Sequence, residues 1–145
     1  MALTPRTVTL PTIPASRLRW GVIAIGLVVF FWLRLEDNGV AVAVVMALLL
    51  TALALAAWLW PRIAGRPLSA RALVTLLALT GAGLGLLTAP SAALLMLLKN
   101  GFHGHLYPDY PAGLIAATLA RAPAGAVAGA LLGIAAALLL WTRTR

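Results

Sequence analysis

The feature that most constrains this chain is the run from Gly39 to Trp60, 22 residues without one charged side chain. At 1.5 Å rise per residue, such a run makes a helix of about 33 Å, enough to cross a hydrocarbon core of roughly 30 Å. Three more runs have the same character. Trp20–Leu33 lies between Arg19 and Arg34, Ala72–Leu98 holds 27 residues, and Pro123–Thr142 is closed by Arg143 and Arg145. Lipid offers no hydrogen bonds, so a crossing segment must satisfy its own backbone, which selects helices. The expected fold is all-α: an integral membrane four-helix bundle with spans at about 18–35, 39–60, 72–98 and 123–142.

Composition supports a lipid solvent. The 145 residues are 63% hydrophobic and only 10% charged, against the roughly 25% charged usage of soluble domains. The organisation expected is a flexible Thr- and Pro-bearing tail at 1–16 and a single four-span domain at 17–145, with an extracytoplasmic loop at 99–122. The basic flank and apolar centre of 18–35 have the layout of a signal peptide. No small-residue cleavage site follows, so the segment is expected to stay as the first span.

The spans are unequal. The first has only 14 residues between its arginines, about 21 Å, so both arginines must snorkel. The second is expected to stop at Pro61. The third, about 40 Å if continuous, is too long for a perpendicular crossing. Pro90 gives it a reason to kink, with Thr88 and Ser91 placed to satisfy the freed backbone groups.

Orientation follows from Lys and Arg in the short connections. Arg6, Arg17, Arg19, Arg62, Arg66, Arg71, Arg143 and Arg145 fall on one side, and Arg34, Lys99 and Arg121 on the other, together with Glu36, Asp37 and Asp109. The positive-inside rule then puts both termini in the cytoplasm (N-in/C-in), in a multi-pass protein of a bacterial plasma (inner) membrane. Trp20, Trp58, Trp60 and Trp141 mark the cytoplasmic interface, and Trp32, Tyr107 and Tyr110 the opposite one. The net charge of +8 sits outside the apolar runs, so the partner it implies is anionic lipid headgroups and not nucleic acid.

Two sets of residues stand out. Gly125, Gly129 and Gly133, continued by Ala137, form a small-residue strip on the fourth span, and Gly81 and Gly85 form a shorter one on the third. Such strips let helices approach closely, inside this bundle or against another membrane protein. The second set is the segment KNGFHGHLYPDYP from Lys99 to Pro111, which carries His103, His105 and Asp109. Imidazoles and a carboxylate at this spacing are weak candidate ligands for a divalent metal such as zinc. The competing reading is a structural or docking loop, with a short interfacial helix at Ala112–Arg121. No other cofactor is predicted. Cysteine is absent, which removes thiol nucleophiles and thiolate ligands.

The interiors of the predicted spans lack Asp, Glu, Lys, Arg and His, residues that proton relays and ion-coupled carriers use. No catalytic residue is assigned, and an enzyme is the less favoured class. The expectation is a small accessory or assembly subunit of a larger bacterial membrane complex, acting by helix packing against other subunits or a second copy of itself. The alternative is a transport or permeation component built on the third helix, and the third reading a membrane enzyme or metal site on the His-bearing segment.

Overall fold

The computed structural model describes residues 7–36, 39–104 and 107–143. It is all-helical apart from one short strand pair, and four of its segments are long and apolar enough to cross a membrane: Ser16–Arg34, Val40–Ile63, Ala70–His103 and Ala112–Arg143.

Helix α1 (Ala15–Arg34) begins directly after Pro14, and α2 (Val40–Ile63) follows a short connection. The expected stop at Pro61 does not occur, and α2 continues to Ile63. A proline this close to a helix end removes one N–H where the ladder is about to finish anyway. Arg62 secures the end by donating to the Trp58 carbonyl and stacking 4.6 Å above the Trp58 ring centroid.

Strand β1 (Val8–Thr9) pairs antiparallel with β2 (Pro67–Leu68), Val8 opposite Leu68. Gly65, at φ +75°, donates its N–H to the Leu10 carbonyl at 3.0 Å. Val8 is buried against Leu73 and Ala137. Part of the segment read as a free tail is therefore fastened to the α2–α3 connection, because Val8 is a β-branched apolar residue with a pocket to enter.

Helix α3 (Ala70–His103) is the spine of the molecule, at 34 residues. The Ser69 hydroxyl caps it by accepting from the Ala72 N–H at 3.3 Å, and Gly104, at φ +57°, ends it in the left-handed conformation. It runs five residues past the expected end at Leu98, since Lys99 does not stop a helix whereas a left-handed glycine does. It also runs as one α-helix through Pro90. Thr88 and Ser91 are not used as expected there: Thr88 bonds back to the Leu84 carbonyl at 2.7 Å, and Ser91 accepts from Thr51 of α2 at 3.2 Å.

The remaining span is broken into α4 (Ala112–Leu119) and α5 (Ala122–Arg143), joined by a turn at Ala120–Arg121. A short helix stands where one was expected between the third and fourth spans: α4 packs on α3, and its Ile115 joins the core formed by Trp32, Ala43, Ala47, Ala92, Ala93 and Met96.

The helices pack along α3 more than on one another. The most extensive contact is α3 with α5, followed by α2 with α3, while α1 leans mainly on α2 and more lightly on α3. A second small core of Val8, Leu73 and Ala137 sits at the opposite end of α3 from the first.

Candidate functional site

The close approach of α3 and α5 is written in glycine. A Cβ on Gly81 would overlap the Gly129 carbonyl, one on Gly85 the Gly125 carbonyl, and one on Gly133 the Leu77 carbonyl. The reverse is also true, since a Cβ on Gly125 would lie 2.6 Å from Gly85 O. All five glycines of the two strips therefore meet within this chain. Gly83, between Gly81 and Gly85, faces open space.

The chemically versatile side chains gather at the other contact region, where the end of α3, the end of α1 and the 107–111 segment meet. Lys99 and His103 are four residues apart on α3 and so share a face. Lys99 is fully buried, its ammonium 4.4 Å from the centroid of the Trp32 ring of α1. This departs from the sequence reading, in which Lys99 opened a solvated loop. The four-carbon stem packs with the core while the ammonium meets an aromatic face. Arg34, at the end of α1, spans the rings of Phe30 and Phe102, 5.8 Å and 5.7 Å from their centroids.

Asn100 holds the connection. Its Nδ2 donates to the Tyr110 carbonyl at 2.8 Å, while its Oδ1 accepts from the Tyr110 N–H at 2.9 Å. Tyr110 is thereby pinned as a buried residue. One turn further along, His103 Nδ1 bonds Asp109 Oδ2, with both side chains largely covered. Two of the three candidate metal ligands are thus brought together, each the other's partner. The third, His105, lies outside the described residues. Among the described residues no three His, Cys, Asp or Glu side chains converge.

Sequence reading missed Lys99, Asn100, Tyr110 and Trp32 as one cluster. The signal was the i, i+4 relation of Lys99 to His103, which has meaning only once α3 is known to continue past Leu98. It also missed Arg121. Placed on the outer side as a topology marker, this residue sits at the break between α4 and α5, beside a cavity lined by Val44, Gly85, Thr88, Thr118 and Gly125. Lys99 and His103 lie in the part of α3 beyond the predicted span end at Leu98, and Arg121 in the turn before the fourth predicted span, so all three stand outside the span interiors that the sequence leaves without ionisable side chains.

Comparison of the chain with protein-family models, with curated proteins and with solved structures finds no match.

Proposed function

We propose that this chain is an accessory or assembly subunit of a larger complex in a bacterial inner membrane, with both termini in the cytoplasm and α3 bent at Pro90. The observation that carries the reading is the open arrangement of the helices. Among the described residues, α5 packs extensively on α3 alone and α1 on α2 and α3. The Gly strips are consumed between α3 and α5, so an external partner would meet the larger apolar faces. Phe31 on α1 and Leu132 on α5, 65% and 71% exposed, belong to those faces. Van der Waals packing on such faces is what drives helix association in lipid. Buried Lys99 and Tyr110, joined by the half-buried Asn100, then act as a fixed polar clamp that keeps the open frame in one shape.

The test places a photo-crosslinking residue at Phe31 or Leu132 in native membranes. A discrete protein adduct from one of these positions, absent from a probe at the buried Ala47, is the expected result. Extraction as a monodisperse lone monomer with lipid adducts alone would remove the basis of the reading. A permeation role draws on one observation, the Thr51–Ser91 contact beside a cavity of about 300 Å³ between α2 and α3. Solute flux in vesicles containing the purified chain, reduced by Ser91→Leu, would favour it.

A further inference from the structure

The turn between α4 and α5 sets Arg121, the basic residue that flanks the predicted fourth span, beside a cavity. Ala120 and Arg121 form a turn in which the Arg121 N–H reaches the Thr118 carbonyl at 3.2 Å and the Arg121 carbonyl accepts from Gly125 N–H at 2.9 Å, so the backbone here is satisfied. Six and seven residues before Arg121, Ile115 and Leu114 of α4 pack with the core that holds Trp32 and Ala43. The cavity next to Arg121 has a volume of about 170 Å³, well above the space one water needs. Its floor includes Gly85 and Thr88, near the middle of α3, and Val44 of α2. Gly85 and Gly125, which approach too closely for a Cβ on either, both line it. Among the described residues, the guanidinium of Arg121 has no carboxylate partner, and Asp109 is committed to His103.

We propose that Arg121 and this cavity bind the phosphate of an anionic phospholipid whose chains lie along the apolar faces of α2 and α5. Three physical terms act together. A guanidinium grips phosphate bidentately, with a fork of donors that matches its oxygens. Helix α5 starts at Ala122, directly after Arg121, so its positive dipole end adds to the same field. The hydroxyls of Thr88 and Thr118 now donate to the Leu84 and Leu114 carbonyls, and rotation about Cβ–Oγ lets either donate to a phosphate oxygen instead. On the side that the arginine count assigns to Arg121, Arg34, Lys99 and Arg121 are balanced by Glu36, Asp37 and Asp109, so the attraction is local, between the Arg121 guanidinium and the phosphate of an anionic lipid, an acceptor present around every membrane span. This inference is independent of the subunit reading above.

The test is native mass spectrometry of the detergent-purified full chain with equal amounts of phosphatidylglycerol and phosphatidylethanolamine. The wild type is expected to retain the phosphatidylglycerol adduct preferentially. Arg121→Gln is expected to weaken it about tenfold or more, as losing a charge-assisted hydrogen bond implies. Arg121→Lys, which keeps charge but not the fork, should fall between them, and Thr88→Val should weaken retention without changing far-UV helicity. These two variants decide the matter if Arg121→Gln does not fold. Equal retention by wild type and every Arg121 variant overturns the proposal. Displacement of the lipid by millimolar inorganic phosphate overturns the lipid as the source of the phosphate. A protein partner lost on Arg121→Gln while lipid retention is unchanged overturns it in favour of a partner carboxylate.

Discussion

At Gly81 a methyl group would have to occupy space held by the Gly129 carbonyl, whereas at Gly83, two residues on, it would meet nothing within 4 Å. The pair separates packing from propensity. Gly81→Ala is expected to destabilise the α3–α5 contact by about 1–3 kcal/mol through overpacking. Gly83→Ala should be neutral or stabilising by about 0.5–1 kcal/mol, since alanine is the better helix former. Intrinsic tryptophan fluorescence during thermal unfolding in detergent reads both. Asn100 offers a second residue-scale test. Asn100→Ala removes both bonds to the Tyr110 backbone, leaving a buried donor and acceptor at a cost of about 1–3 kcal/mol for each unsatisfied group. The Tyr110 amide should then lose protection in hydrogen exchange, while amides in the middle of α2 keep theirs.

Among the elements, α3 determines the arrangement because it touches each of the other helices. Its length was only partly legible. The apolar run Ala72–Leu98 gave the membrane-crossing portion, but hydropathy breaks at Lys99 whereas the helix goes on to Gly104. Periodicity cannot tell a lysine that leaves a helix from one that folds its stem into a core. The fourth span shows the same limit: Pro123 and the apolar run marked α5, but nothing local assigned α4 to the core. The α2–α3 contact carries a polar pair, Thr51 and Ser91. A double-mutant cycle with Thr51→Val and Ser91→Ala should return a coupling of about 0.6 kcal/mol, the typical value for an interhelical hydrogen bond in lipid. A coupling indistinguishable from zero would mean that the two helices are held by shape alone.

For the whole molecule, the absence of natural cysteine makes the topology directly measurable. Single cysteines at Ser16, Ser69 and Tyr107 should label from two sides in intact cells: Tyr107→Cys with an impermeant maleimide, Ser16→Cys and Ser69→Cys only after permeabilisation. Ser16 and Ser69 sit at the start of α1 and immediately before α3, while exposed Tyr107 lies beyond the end of α3. Labelling of Ser69→Cys from outside would reverse the orientation drawn from the arginines.

Run length and charge placement by themselves determined that this chain is helical and has four segments able to cross a membrane, because bilayer thickness and backbone hydrogen bonding act on each segment separately. Glycine spacing named the close-packing residues but not their partner. Only the tertiary structure decided that Gly81 and Gly85 face Gly125, Gly129 and Gly133 of the same chain, that Lys99 is buried on Trp32, and that Arg121 stands at a helix break beside a cavity. Each of these depends on the register between residues distant in sequence. The second span, with which the sequence argument began, has no charge to reveal what lies against it. Its neighbours are set by how far α3 continues and where the fourth span breaks.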